Sequence, residues 1–133
     1  MAVLAVPVLT ACFPLESGTV YMHADEPLGP YSGSVLSGNF CFVSGKIGDT
    51  SGSFEAEVSG ALDALEQELS RAGLTLYQLV QVTVYLTNID NYEVFNEVYA
   101  ARVPEPYPAR AVVQVDALPG DARVEIQATA RRH

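Results

Sequence analysis

The sequence predicts a two-layer α+β domain in which two helices cover one face of a single mixed β-sheet. Residues 54–72 repeat apolar side chains at helical spacing, whereas residues 79–86 and 123–130 alternate apolar and polar side chains. The predicted order is strands, helix, strand, helix, strand, strand, which is typical of a sheet with helices on one face. The chain has 133 residues, the size of one domain.

Short strands are predicted in the first part of the chain. Residues 20–22 and 40–44 form short apolar runs, and the second run is bounded by Asn39 and Gly45. Residues 48–53 are polar and rich in glycine, which predicts a loop. The residues between the two strands are interrupted by turn formers and are also predicted to be a loop: Pro27, Gly29, Pro30, Gly33 and Gly38.

The clearest helix is predicted over residues 54–72. Ser53 is placed to cap its start, and Gly73 to end it. Glu55 and Glu57 lie in the first turn, where the helix dipole favours negative charge. Its apolar face is formed by Phe54, Val58, Ala61, Leu62, Leu65 and Leu69.

A half-buried strand and a second helix are predicted next. In the strand, over residues 79–86, the inward side chains are Val82, Val84 and Leu86. Asp90 and Glu93 resemble a capping pair that opens the helix. The inner face of this helix is predicted to be Tyr92, Phe95, Val98 and Tyr99, and the helix is ended by Pro104, Pro106 and Pro108.

The last two strands are predicted over residues 110–115 and 123–130, joined by a turn at residues 118–121. A hairpin at this turn would bring Glu125 within a couple of residue pairs of Arg110. The exposed face of the sheet would carry Arg110, Gln114 and Glu125, or would meet a partner subunit. Two interpretations follow from spacing alone. Arg110 and Glu125 form a cross-strand ion pair, or Arg110 binds a carboxylate while Glu125 positions a water.

The composition argues against several classes of function. The formal net charge is −9 and the seven basic residues are scattered, so nucleic-acid binding is not expected. The sequence has no phosphate-binding glycine loop, no nucleophile elbow and no zinc-protease motif. His23 and His133 are solitary and have no partner at ligand spacing, so a metal site is not expected.

The cysteines and the N-terminal segment indicate the cellular compartment in which the protein is expected. Cys12 and Cys41 are too far apart for a zinc motif, and Cys41 lies in an apolar run typical of a buried thiol. Residues 9–12 resemble a lipoprotein cleavage box, but no basic residue precedes Lys46. We therefore interpret residues 1–17 as an ordered N-terminal extension or an extra strand, and predict a cytoplasmic protein that contacts no membrane.

Several short motifs occur in order between residues 18 and 130. They are GPYS at 29–32, GNFCFVSGKI at 38–47, VQVTVYLT at 80–87, NEVY at 96–99, PAR at 108–110, LP at 118–119 and VEI at 124–126. Each motif alone is weak, but their order and intervals are specific. Together they resemble the RidA (YjgF/UK) family, also called the L-PSP endoribonuclease family.

The resemblance implies a chorismate-mutase-like fold over residues 18–133 and a homotrimer with clefts between subunits. Arg110 matches the family arginine that binds the substrate carboxylate, and Glu125 matches the glutamate that holds the attacking water. The other residues that match the lining of the cleft are Tyr31, Ser44, Gly45 and Asn96. The implied reaction, which needs no cofactor, hydrolyses 2-imino or enamine acids to 2-keto acids and ammonia. Substrates of this kind include 2-aminoacrylate, 2-iminopropanoate and 2-iminobutanoate.

The sequence departs from the family pattern at a few positions near the implied cleft. Lys46 stands where many relatives have glutamine, Gly48 replaces a proline, and the 48–53 loop is short. Ala111 and Val112 follow the arginine in place of a hydroxyl residue and, often, a cysteine. These departures keep two alternatives open. One is a pathway-specific deaminase similar to 2-aminomuconate deaminase, and the other is a non-enzymatic trimer that binds ligands or acts as a chaperone.

Overall fold

The computed structural model describes residues 13–14 and 18–132, and it confirms the predicted two-layer α+β fold. Helices α1 (Phe54–Arg71) and α2 (Tyr92–Arg102) cover one face of a seven-stranded mixed sheet. The strands are β1 (Phe13–Pro14), β2 (Thr19–His23), β3 (Ser32–Ser37), β4 (Phe40–Lys46), β5 (Leu79–Leu86), β6 (Ala109–Gln114) and β7 (Val124–Arg131). Their order is β1-β2-β3-β4-β7-β5-β6, and every pair is antiparallel except β5 with β6.

The core lies between the helices and the helix-facing side of the sheet. As predicted from their alternation, Val82, Val84 and Leu86 of β5 are buried. Leu62 and Leu65 of α1 pack against the same layer, together with Phe95 of α2. Burying this apolar surface is the main contribution to the stability of the domain.

The termini of the helices were only partly predicted. Ser53 caps α1 as expected, because its hydroxyl accepts a hydrogen bond from the amide of Ala56 at 3.1 Å. Gly73 follows α1 with a φ of +73°, a conformation that favours glycine. The predicted Asp90–Glu93 capping pair is wrong. Asn88 instead caps a short turn at Ile89–Asn91, and α2 begins directly after it.

Strand β3 was predicted to be a loop, and that prediction is wrong. The strand was hidden because Gly33 and Ser34 break the apolar pattern, although Ser34 is fully buried. Its hydroxyl donates a hydrogen bond to the Glu68 carboxylate at 2.6 Å, which satisfies both buried polar groups. A polar residue thus occupies an inward position of the sheet.

The predicted hairpin between the last two strands is also wrong. β6 pairs only with β5, at the edge of the sheet, whereas β7 inserts between β4 and β5. The connection passes the end of β5, where the amide of Val115 donates to the Leu86 carbonyl and that of Thr87 to the Arg123 carbonyl. The turn at Leu118–Asp121 therefore joins two strands separated by β5.

Two glutamates of α1 are buried and fully paired. Glu57 accepts hydrogen bonds from the amide and the Nε of Arg123, each at 2.6 Å. Glu68 accepts hydrogen bonds from Ser34, from Arg71 at 3.0 Å and from Lys46 at 3.4 Å. Ionised groups in a protein interior need such partners. The contacts with Ser34, Lys46 and Arg123 also connect α1 to β3, to β4 and to the segment before β7.

Neither α1 nor α2 combines the length with the hydropathy that a membrane crossing needs, and no other helix within residues 13–14 and 18–132 does so. The two-residue strand β1 pairs with β2 and is the described part of the predicted N-terminal extension. The remainder of residues 1–17, including Cys12 and the segment that resembles a cleavage box, lies outside the described residues. His133 lies outside them as well.

Candidate functional site

Arg110 lies on the edge strand β6 and points towards α2. It stands opposite Val82 of β5, whose side chain is buried against the helices. Its guanidinium carbon lies 4.8 Å from the ring centroid of Tyr99, 5.6 Å from that of Phe95 and 6.0 Å from that of Tyr92. The faces of aromatic rings attract a cation at such distances.

Asn96 completes the polar part of this region. Its Oδ1 accepts a hydrogen bond from Arg110 Nη2 at 2.8 Å. Asn96 and Tyr99 are three residues apart on α2, so both face the arginine. A cavity of about 450 Å³ opens beside them, lined by Asn96, Tyr99, Ala100, Tyr107, Pro108 and Arg110. We call these six residues the arginine site.

The Arg110 guanidinium has N–H donors that are not used within the described residues. A guanidinium carries five N–H groups in a planar fork, and within the described residues Arg110 uses one nitrogen to donate to a side chain, that of Asn96. The remaining donors suit a planar anion, which an arginine binds through two parallel hydrogen bonds. The arrangement can therefore bind a small carboxylate at the edge of the sheet.

Glu125 lies in a different place, on the face of the sheet that no helix covers. It stands opposite Tyr85 of β5 and beside Gly45 of β4. A cavity of about 270 Å³ is lined there by Leu28, Tyr31, Ser44, Gly45, Ile47, Pro119 and Glu125. We call these seven residues the glutamate site.

Gly45 leaves room for the Glu125 carboxylate in its observed position. A Cβ atom at this position would collide with the Glu125 carboxylate. The pairing of β4 with β7 shifts register between Val43 and Lys46, which carries the backbone of Gly45 towards that carboxylate. Desolvation by burial raises the pKa of Glu125 above the ordinary value for glutamate. A carboxyl group with a raised pKa is a stronger base for activating a water.

Tyr31 and Ser44 occupy the wall of the glutamate site. The Ser44 hydroxyl donates to the carbonyl of Ser32 at 2.6 Å, so it can still accept a hydrogen bond. The Tyr31 hydroxyl accepts a hydrogen bond from the amide of Leu28 at 3.4 Å, and 46% of the residue is exposed. The structure thus brings Tyr31, Ser44 and Gly45 to Glu125, whereas Asn96 lies with Arg110.

The predicted proximity of Arg110 and Glu125 is wrong within one chain. Strand β5 separates them, and they stand opposite β5 residues three positions apart, so their Cα atoms are about 14 Å apart. Their side chains also project from opposite faces of the sheet, which rules out a cross-strand ion pair. Gln114 shares the helix-covered face with Arg110, and its Oε1 accepts from the Ile89 amide at 2.8 Å. Only Glu125 of the predicted trio lies on the uncovered face.

Lys46 points away from Glu125. Its ammonium nitrogen lies 3.4 Å from the Glu68 carboxylate of α1, and only 15% of its side chain is exposed. It lines an adjoining cavity of about 280 Å³ that reaches Tyr31 and Gly45 from the helix side. Its charge is therefore compensated inside the fold.

Several residues of the two sites were not predicted from the sequence. Tyr107 and Pro108 line the arginine site, and the prolines around Tyr107 were interpreted only as a break after the helix. Leu28, Ile47 and Pro119 form the apolar wall of the glutamate site. Among residues 18–132, no group of three or more His, Cys, Asp or Glu side chains is arranged to hold a metal ion.

The fold and the two sites define a small α+β domain with an arginine that has unused donors at one edge and a half-buried carboxyl group on the uncovered face. The family model described as "Endoribonuclease L-PSP" matches residues 22–132. The chain therefore belongs to the RidA (YjgF, L-PSP) family.

Individual relatives agree with this assignment. The chain is 36% identical over 114 residues to human 2-iminobutanoate/2-iminopropanoate deaminase, covering 80% of this chain and 83% of that one. It is 36% identical over 115 residues to a RutC family protein of Pyrococcus horikoshii, covering 81% and 91%.

Solved structures show the same fold. RidA from an Antarctic Psychrobacter superposes with a TM-score of 0.78 at 35% identity, covering 81% of this chain and 93% of that one. A YjgF/YER057c/UK114 family member from Mycobacterium tuberculosis gives a TM-score of 0.72 at 32% identity, covering 76% and 86%.

Proposed function

We propose that this protein is a cofactor-independent hydrolase that converts 2-imino acids into 2-oxo acids and ammonia. The observation that carries the proposal is the arginine site, where a guanidinium with unused donors lines a cavity. Family members named 2-iminobutanoate/2-iminopropanoate deaminase, from human, goat and a dust mite, support this substrate class. We place the reaction in the cytoplasm, which suits the free, buried thiol of Cys41.

The reaction needs one binding group and one base. Arg110 binds the substrate carboxylate and so fixes the adjacent C2 atom. Glu125 takes a proton from a water as the water oxygen bonds to C2 of the protonated imine. Glu125 returns this proton to the carbinolamine nitrogen and then accepts the proton of the carbinolamine hydroxyl as the C–N bond breaks, which leaves the C2 carbonyl and releases ammonia. Because a protonated imine is already electrophilic, most of the catalysis comes from orientation and proton transfer.

Arg110 and Glu125 can act on one small substrate only if they come from different copies of the chain. Hydrogen bonds and reacting atoms are separated by about 3 Å, so an imino acid with one water cannot reach around the sheet. We therefore propose a homotrimer in which the arginine site of one subunit faces the glutamate site of the next. Asn96 would then line the cleft from one subunit, and Tyr31, Ser44 and Gly45 from its neighbour.

The uncovered face of the sheet suits such an assembly. Phe42, Tyr21 and Val113 project from it with 49%, 44% and 42% of their surfaces exposed. Large apolar side chains on one sheet face are typical of a surface that a partner covers. Glu125 lies on this same face, so assembly would bring a second subunit to the carboxylate.

The proposal is tested with imines that a second enzyme generates in the assay mixture. An amino-acid oxidase or a threonine dehydratase supplies the imine, and its decay is followed by trapping with semicarbazide. We expect the wild-type protein to accelerate decay and Arg110→Ala to lose at least about 100-fold of that acceleration, because a charged pair to the substrate is removed.

Arg102→Ala is the matched control, since Arg102 pairs with Asp63 and Glu66 on the surface and lines neither site. This variant is expected to retain the wild-type rate. The proposal is wrong if the wild-type protein leaves imine decay unchanged, or if Arg110→Ala is as active as the control.

A further inference from the structure

Tyr99 has a feature that the proposed reaction does not explain. Its side chain is buried, with 4% of the residue exposed. Its hydroxyl has no hydrogen-bond partner, and no other buried side-chain oxygen or nitrogen in the described part of the chain is in this condition. An unpaired buried hydroxyl costs stability, because it gives up hydrogen bonds to water and gains none.

The preceding turn of α2 shows that a hydroxyl is not needed for packing. Phe95 lies four residues earlier, is fully buried and packs against Tyr99 in a tilted arrangement with 5.5 Å between ring centroids. Both rings contact the Arg110 guanidinium. A phenylalanine at position 99 would supply the same apolar contacts without the cost of the hydroxyl, so the hydroxyl itself requires an explanation.

The Tyr99 side chain borders the space in which a ligand of Arg110 would bind. Tyr99 lines the same cavity as Arg110, Asn96 and Tyr107. Burial raises the pKa of Tyr99 and outweighs the opposing effect of the nearby Arg110 charge. The hydroxyl therefore keeps its proton at neutral pH and is available as a donor.

We infer that Tyr99 is a substrate-binding residue whose hydroxyl donates a hydrogen bond to the carboxylate held by Arg110. The ligand class is a small 2-oxo or 2-imino acid, and the carboxylate receives donors from both the guanidinium and the phenol. This inference rests on the proposed function for the choice of ligand. Binding a carboxylate would satisfy the hydroxyl that has no partner in the chain itself.

The test is Tyr99→Phe, which removes only the oxygen. We expect the free variant to be at least as stable as the wild type in thermal unfolding. We expect its affinity for 2-oxobutanoate, a ligand that does not react, to fall about tenfold, since a hydrogen bond to a charged group is lost. In imine hydrolysis KM should rise about tenfold while kcat changes less than about twofold.

Tyr77→Phe is the matched control, because Tyr77 is 78% exposed and lines neither site. Binding can be followed by tyrosine absorbance and near-ultraviolet circular dichroism, since the chain has seven tyrosines and no tryptophan. The ligand-induced tyrosine signal should be reduced in Tyr99→Phe and unchanged in the control.

Three outcomes would overturn the inference. Tyr99→Phe could lower the stability of the free protein and leave affinity unchanged, or it could alter the oligomeric state, which would assign the hydroxyl to a subunit contact. The wild-type protein could also fail to bind 2-oxobutanoate. If instead the wild type binds this ligand in an Arg110-dependent way but hydrolyses no imine, the proposed function fails while the role of Tyr99 is still measured by binding.

Discussion

The two buried glutamates of α1 and the two charged residues of the candidate sites differ in how many of their hydrogen-bonding atoms have partners within the chain. Glu57 and Glu68 of α1 are buried, and both oxygens of each carboxylate accept hydrogen bonds. Arg110 and Glu125 are half-buried. Arg110 donates to one side chain among the described residues, and burial alone accounts for the raised pKa of Glu125.

The difference separates charges that hold the fold from charges that are available to a ligand. A buried ionised group with every atom satisfied contributes by connecting elements, and removing one partner leaves the other uncompensated. A half-buried group with unused capacity contributes little to the fold and can bind something else. Unused hydrogen-bonding capacity, rather than burial alone, therefore identifies the two candidate sites.

The strongest test of this comparison is Glu57→Gln. The substitution removes the fully buried charge that pairs with Arg123, whose side chain is 37% exposed, so we expect the free energy of unfolding to fall by about 2 kcal/mol, as for a hydrogen bond to a charged group. Chemical denaturation at neutral pH measures the change. Glu55→Gln, at an exposed position in the same helical turn, should change stability by no more than about 0.5 kcal/mol. A loss below about 1 kcal/mol for Glu57→Gln would contradict the assignment of Glu57 to the fold.

Ser34→Ala tests how much the hydrogen bond from β3 to the buried Glu68 carboxylate stabilises the fold. It removes the donor at 2.6 Å from Glu68 and should cost about 2 kcal/mol, because hydrogen bonds to buried charges are strong. Thermal or chemical unfolding reports the change. Ser70→Ala, on the exposed side of α1, should be close to neutral. If the two serine variants have equal stability, Ser34 does not help to compensate Glu68.

Gly45→Ala tests whether the glutamate site depends on the close approach of the β4 backbone to the Glu125 carboxylate. The new Cβ forces the Glu125 carboxylate to move, so we expect imine hydrolysis to fall at least about tenfold. The same assay with Gly52→Ala provides the control, since a Cβ there meets only an ordinary contact at 3.5 Å. Full activity of Gly45→Ala would argue against a role for Glu125 in its observed position.

Glu125→Gln should have the smallest effect on stability, within about 0.5 kcal/mol at neutral pH, although it should abolish imine hydrolysis. The pKa of Glu125 is raised in the folded state, so the folded protein binds the proton more tightly than the unfolded chain. Stability relative to the glutamine variant should therefore fall as pH rises from the ordinary glutamate pKa through the raised one. Unfolding of both proteins across this range measures it, and an opposite slope would mean that Glu125 has a stabilising partner.

The sequence predicted those elements whose pattern is local. The limits of β5 and the cap of α1 by Ser53 were correct, because alternation and capping depend on a few neighbouring residues. The pairing of β6 and β7 was wrong, because the choice of a strand's neighbour depends on the whole sheet. Ser34 was missed because its partner, Glu68, is distant in sequence.

In the candidate site, too, the sequence indicated individual residues but not their arrangement in space. The motifs identified Arg110, Asn96, Glu125 and Gly45, but not their arrangement on opposite faces. The unpaired hydroxyl of Tyr99 could not be predicted, because an apolar helical pattern assigns the ring to the core and says nothing of the oxygen.

The separation of Arg110 from Glu125 by β5 has a genetic consequence. If each catalytic centre is shared between neighbouring subunits, Arg110→Ala and Glu125→Gln damage opposite sides of it. Subunits of the two inactive variants, unfolded together and reassembled in equal amounts, should form about one quarter of their centres with both groups intact. Two alleles that are each inactive alone would then complement one another within a single mixed oligomer.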